Sequence, residues 1–152
     1  MADKQAAKPA GGGLGRIMSL AVTGVHKTLY RLTGGRFGGR MGAMDILVLT
    51  TTGRKSGAPR TTPLAYFRDG ANLVVVASAG GAEAAPAWYL NLQSTPEVTV
   101  LIGQTQQRMR ATTAAPADRA RLWAMIVTTA PNFADYQQKT SREIPVVILQ
   151  RA

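Results

Sequence analysis

The stretch Asp45–Ala77, DILVLTTTGRKSGAPRTTPLAYFRDGANLVVVA, decides the fold. It holds three β-branched and aromatic runs, Asp45–Thr52, Arg60–Arg68 and Asn72–Ala77, separated by a polar turn and by the dipeptide Asp69-Gly70, which is a strong hairpin signal. Beyond it, Glu97–Ile102 and Gln104–Thr112 read as a second hairpin about Gly103, and Ile144–Leu149 as a last strand. Pro86–Gln93 reads as a short helix opening on proline, which suits a first turn. Pro116–Thr129 reads as a longer helix, with Leu122, Met125 and Ile126 facing inward, and the segment holding Phe133 and Tyr136 as a loop or helical turn. About six strands joined mostly as hairpins, with helices inserted late, predict an α+β, mainly β architecture: an antiparallel barrel or open sheet with flanking helices. Strands and helices do not alternate, which excludes a doubly wound parallel sheet.

At 152 residues the chain makes one domain large enough to bury a core without a metal or disulfide. It has no cysteine, so thiolate zinc sites, iron–sulfur clusters, thiol nucleophiles and redox dithiols are excluded. His26 is the only histidine and reads as a solvated surface residue, so neither a histidine-held metal nor a Ser–His triad is expected. Side chains this poor in reactive groups point to a borrowed cofactor if the protein is an enzyme.

The net charge of +10 is unevenly spread. Lys4, Lys8, Arg16, Lys27, Arg31, Arg36 and Arg40 face Asp3 alone in the first 40 residues, which leaves the body only mildly cationic. Nucleic-acid binding therefore ranks last among the functions considered. Residues 1–13 read as a disordered tail. From Leu14 to Leu32 the apolar residues Leu14, Ile17, Met18, Ala21, Val25, Leu29 and Leu32 recur at helical steps, a basic amphipathic helix that packs on the domain or lies on an anionic membrane surface. Gly15 and Gly24 weaken it as an isolated helix and favour packing. Thr33–Gly42, with five glycines in ten residues, reads as a linker, and residues 43–152 as the folded domain. There is no secretory signal and no membrane-spanning run, so the body reads as soluble and cytosolic.

Two segments carry the chemistry. Thr50–Pro63, TTTGRKSGAPRTTP, sets Arg54, Lys55 and Arg60 among glycines, Ser56 and five threonines, a composition suited to a phosphate or several carboxylates. It is not a P-loop, because the GxxxxGK[ST] spacing is absent, and a solvated basic hairpin turn is the alternative. Val75–Leu92, VVASAGGAEAAPAWYLNL, runs a strand through a small-residue loop into a helix with Trp88, Tyr89 and Asn91. Small residues leave room for a flat ligand and the indole supplies an apolar wall, with plain core packing as the alternative for Trp88.

Together, Leu49–Leu64, the Arg68–Gly70 turn, Val76–Gly81, Pro86–Leu92 and ADYQQKTSREIPVVIL at Ala134–Leu149 resemble the deazaflavin-dependent nitroreductases, the actinobacterial F420-dependent quinone and nitro-reductases. The resemblance covers about residues 28–150. It implies a split β-barrel like that of FMN-binding oxidoreductases, with coenzyme F420 in a groove of the barrel. By the same resemblance the cofactor-binding positions fall on Arg54, Lys55, Ser56, Arg60, Thr61, Thr62, Pro63, Leu64, Ala65, Val76, Ala77, Ser78, Ala79, Ala87, Trp88, Tyr89, Leu90, Asn91 and Phe133. Arg54, Lys55 and Arg60 are the cations to meet its phosphate and oligoglutamate tail.

Ser78 and Tyr136 are the catalytic positions it implies, with Ser78 bordering the ring and Tyr136 donating to the acceptor. The resemblance implies no metal. The family's nitroimidazole-reducing member carries tyrosines at the positions of Ala130 and Phe133, so a flat, apolar quinone-like acceptor is expected and bulky nitroimidazoles are not. The expected activity is hydride transfer from reduced F420 to such an acceptor, with the basic helix at residues 14–32 as a peripheral contact to the inner face of the cell membrane. The alternatives are a deazaflavin or FMN carrier without a committed substrate, and FMN-based chemistry on the same barrel.

Overall fold

The computed structural model describes residues 40–41 and 44–152, the first pair by backbone alone. The tail, the amphipathic helix at residues 14–32 and its membrane contact lie outside the described residues, as does the linker apart from Arg40 and Met41.

Among the described residues seven strands and three helices follow one another in the order β1 (Arg40–Met41), β2 (Met44–Thr52), β3 (Pro59–Asp69), β4 (Asn72–Val76), α1 (Ala87–Ser94), β5 (Glu97–Ile102), β6 (Thr105–Thr113), α2 (Pro116–Thr129), α3 (Asn132–Gln138) and β7 (Val146–Arg151). A single 3-10 turn, Ala79–Gly81, follows β4. Every pairing is antiparallel, in the order β1-β2-β3-β4-β7-β6-β5, and a β2–β5 pairing closes the six long strands into a barrel. The α+β, mainly β barrel expected from the sequence is what forms. β1 is an added two-residue strand on β2, at positions that read as linker.

Both predicted hairpins are present with two-residue loops, Asp69 facing Asn72 and Ile102 facing Thr105. Gly70 and Gly103 open those loops at φ 59°, a left-handed conformation in which a side chain meets its own backbone. The last strand starts two residues later than its composition predicts. Pro145 has no N–H to give a ladder, and the Ile144 N–H is taken by Gln137 Oε1 at 2.9 Å. The Phe133–Tyr136 segment is helical.

The strands alternate their side chains between two cores. Leu47, Leu49, Val75, Val100, Met109, Val147 and Leu149 fill the barrel together with Trp88, Tyr89 and Leu92 of α1. Val74, Val76, Phe67 and Val146 point outward, under Leu122 and Ile126 of α2 and Phe133 of α3. Met125, expected to face inward, is only half-buried at the rim of this second core. No helix among the described residues is long and apolar enough to cross a membrane.

Candidate functional site

The turn between β2 and β3 is closed by its own bonds. Gly53 N–H donates to the Ala58 carbonyl at 2.7 Å, Gly57 N–H to the Gly53 carbonyl at 2.8 Å, and Ala58 N–H to Ser56 Oγ at 3.1 Å. The side chains of Arg54, Lys55 and Ser56 are left exposed. Helix α1 reaches this turn through Asn91. Its buried side-chain oxygen accepts the Arg54 backbone N–H at 3.1 Å, and its amide donates to Thr51 Oγ1 at 3.2 Å.

Between turn and helix lies a groove of about 480 Å³. Gly53, Arg54, Lys55 and Ser56 form one wall, Arg60, Thr61 and Thr62 of β3 the floor, and Pro86, Ala87, Trp88 and Asn91 the other wall. β3 pairs with β2 from Pro59 to Tyr66 but with β4 only from Phe67 to Asp69. The floor therefore has an edge that no other described strand occupies, and this is where the barrel splits. Among the described residues Lys55 and Arg60 pair with no carboxylate, and the Arg54 guanidinium reaches only Asn91 Oδ1, at 3.5 Å. Three uncompensated cations opposite an indole can hold a ligand that is anionic at one end and flat and apolar at the other.

Of the residues singled out from sequence, Arg54, Lys55, Ser56, Arg60, Thr61, Thr62, Ala87, Trp88 and Asn91 meet in this groove. Gly53 and Pro86 also line it; both lie inside the quoted motifs, and neither is among the cofactor-binding positions that the resemblance implies. The others lie elsewhere. Pro63 is exposed farther along β3, Leu64 packs on the barrel core, and Ala65 and Val76 belong to the second core. Ala77 is inside the barrel and Leu90 is half-buried. Tyr89 turns away from the groove, its hydroxyl 3.0 Å from Thr113 Oγ1.

Ser78 is buried at the start of the 3-10 turn, and Ala79 is exposed at φ 47°. Phe133 packs edge-on against Phe67 at 5.9 Å and against Tyr136 at 5.6 Å. Ala130 and Phe133, 3% and 6% exposed, are both spent on this packing and line no described cavity. Tyr136 is half-buried beside them, with the Lys139 ammonium 5.6 Å from its ring.

A polar network escaped the sequence reading altogether. Arg142 and Ser141, just before β7, bind the loop Ala77–Glu83 through its carbonyls and the Glu83 carboxylate. No local pattern signals it, because the partners are about sixty residues apart.

An F420H(2)-dependent quinone reductase of Mycobacterium tuberculosis is 42% identical over 142 residues, which is 91% of this chain and 95% of that protein. The solved structure of an F420-H2 dependent reductase, FDR-A, superposes with a TM-score of 0.64 at 37% identity, covering 69% of this chain and 93% of that one. The heme storage protein HutZ of Vibrio cholerae, at 13% identity and a TM-score of 0.54 over 70% of this chain and 80% of its own, shares the fold alone. The family model described as F420H(2)-dependent quinone reductase matches residues 23–151, and with the cation-lined groove at the split of the barrel this places the chain in the F420H(2)-dependent quinone reductase family.

Proposed function

We propose that this chain is a reductase that passes a hydride from reduced F420 to a quinone-like acceptor, with the cofactor held between the Gly53–Ala58 turn and α1. The observation that carries the reading is the convergence of Arg54, Lys55 and Arg60 on a groove walled by Trp88. Its volume, about 480 Å³, falls within the roughly 300–1,000 Å³ usual for ligand sites.

The residues present fit the group. A phosphate and an oligoglutamate tail need cations and hydroxyls, which Arg54, Lys55, Arg60, Ser56, Thr61 and Thr62 offer, while a flat ring needs the apolar face of Pro86, Ala87 and Trp88. When bound, reduced F420 supplies a hydride on a ring carbon, because carbon in place of the flavin N5 favours two-electron transfer. The chain's own work is then to bind, orient and exclude water. The turn anchors the anionic end and Asn91 keeps turn and helix at a fixed separation. In this reading Ser78 lies at the ring, Tyr136 donates a hydrogen bond from its hydroxyl to the acceptor oxygen, and Pro63–Ala65, Val76, Ala77, Ala79, Tyr89 and Leu90 complete the cofactor-binding set that the resemblance implies. Ala130 and Phe133 are buried, so of the three positions compared with the nitroimidazole-reducing member only Tyr136 keeps part of its surface exposed.

The test is titration with F420 and FMN separately, followed by an acceptor screen with reduced F420. In a Trp123→Phe background, quenching of the remaining tryptophan reports on Trp88. Preferential F420 binding and oxidation of F420H2 by a soluble naphthoquinone are expected. Tight binding with no acceptor-dependent oxidation would make the protein a carrier, and preference for FMN would overturn the cofactor assignment. Unchanged turnover of every quinone in Tyr136→Phe would remove that residue from the site. A cytoplasmic protein with peripheral contact to the inner membrane face through residues 14–32 is the remaining part of the proposal, supported by their basic amphipathic stripe. Equal co-sedimentation with anionic liposomes, with and without residues 1–40, would refute it.

A further inference from the structure

We propose that Arg142 is a positioning residue, whose guanidinium holds the Ala77–Ala82 loop and α3 as one unit. Its Nε donates to the Ala82 carbonyl at 2.9 Å, and its Nη2 to the Ala77 and Ser78 carbonyls at 3.2 and 3.0 Å. One planar fork of N–H groups thus spans the loop from end to end, which a lysine ammonium cannot do.

The loop needs such support. Ala79 at φ 47° is a non-glycine in the left-handed region, followed by Gly80 at 64° and Gly81 at 87°. A non-glycine residue held there is strained and persists only where the surroundings impose it. A second stitch lies beside the first, with the Ser141 N–H and Oγ–H donating to the Glu83 carboxylate at 3.4 and 3.2 Å.

The Arg142 backbone is in turn fixed to α3. Gln137 Nε2 donates to the Arg142 carbonyl at 2.8 Å, and Gln137 Oε1 accepts the Ile144 N–H at 2.9 Å. Loop and helix also touch directly, since a Cβ at Gly81 would lie 2.7 Å from the Tyr136 carbonyl oxygen. The loop carries Ser78 and the helix carries Tyr136. Given the function proposed above, on which this consequence rests, Arg142 fixes the ring-bordering residue relative to the acceptor-binding one. It touches neither ligand.

The experiment compares the full chain with Arg142→Ala, Arg142→Lys and Ser141→Ala by two independent readouts. The first is amide hydrogen exchange of the unloaded protein. Both Arg142 variants are expected to speed exchange in residues 77–83 by about tenfold or more while the β2, β5 and β6 amides stay protected. The second is steady-state turnover of F420H2 with a naphthoquinone. In Arg142→Ala, kcat is expected to fall about tenfold or more, as displacement of a positioned group does, with KM for F420H2 changed less than threefold because the tail contacts are untouched. Millimolar guanidinium restores part of kcat in Arg142→Ala and none in Arg142→Lys.

Unchanged exchange in residues 77–83, or kcat within twofold of wild type, overturns the proposal. So does a parallel loss of kcat and global stability without guanidinium rescue. Should Arg142→Ala not fold, Arg142→Lys removes the fork while keeping the charge, and unchanged exchange and kcat there overturn it equally. A wild-type protein that oxidises no F420H2 refutes the function proposed above, while the exchange comparison still decides whether Arg142 holds the loop.

Discussion

Asn91 and Arg54, 37 residues apart in sequence, are joined twice: the Asn91 side-chain oxygen takes the Arg54 backbone N–H at 3.1 Å and an Nη1 hydrogen at 3.5 Å. With its amide on Thr51 Oγ1, Asn91 accepts from the turn and donates to the strand below it. A carboxylate only accepts and could not donate to Thr51.

Replacing Asn91 with alanine leaves the Thr51 hydroxyl and the Arg54 N–H without these partners, at a cost of about 1–3 kcal/mol of folding stability. Chemical denaturation should show that loss. F420 affinity, followed by fluorescence, should fall about tenfold as the turn drifts from the helix. Asn91→Asp keeps the acceptor and should retain more of the affinity than Asn91→Ala.

Lys55 and Arg60 face the groove without a carboxylate partner among the described residues. Substituting either with alanine is expected to weaken F420 binding about three- to tenfold, the scale of roughly 1 kcal/mol for an exposed charged contact. Each substitution should also flatten the dependence of affinity on salt, since one fewer screened attraction remains. Titrations at low and high salt check both. A salt slope equal to wild type in both variants would show that these cations do not meet the tail.

Gly81 has φ 87°, and a Cβ there would fall 2.7 Å from the Tyr136 carbonyl oxygen and 2.9 Å from Lys139 Cβ. Gly81→Ala therefore meets both backbone strain and a clash, and should lose about 2 kcal/mol or more. Gly80, at φ 64°, has nothing within 4 Å of such a Cβ, so Gly80→Ala should cost less. Thermal unfolding of the two variants side by side separates strain from contact.

Arg121 of α2 grips Asp69 at the tip of the β3–β4 hairpin with two bonds of 3.0 Å each. The hydrogen bond and charge of Arg121, together outweighing a smaller cost of desolvation, hold the Asp69 carboxyl below its ordinary 3.8. A depressed folded-state value means that the pair stabilises the fold above the unfolded-state value and loses that contribution as pH falls through the lowered one. Asp69→Asn should therefore melt slightly below wild type at neutral pH. The gap should close in acid and narrow in high salt. A gap that widens on acidification would reverse the sign.

The six long strands, both hairpins, the α1 and α2 segments and the cation-bearing turn were legible in the residues themselves, whereas the two-residue β1 was not. Periodicity, Gly70, Gly103, Pro86 and Pro116 are local signals that act within a few positions of where they stand. The lack of cysteine and of all but one histidine narrowed the chemistry in the same local way, and the motif set brought in the cofactor by resemblance. What only the tertiary structure decided is which singled-out side chains share one space. Trp88 and Tyr89 are adjacent in sequence but about 100° apart around α1, so one walls the groove while the other reaches Thr113 on β6. Phe133 and Ala130 lie in the second core because α2 and α3 fold down over the outer face of β4 and β7. The β2–β5 closure, the Asn91–Arg54 tie and the hold of Arg142 on Ala77, Ser78 and Ala82 join positions tens of residues apart. Such contacts are set by how the chain closes on itself, and no short window of sequence contains both partners.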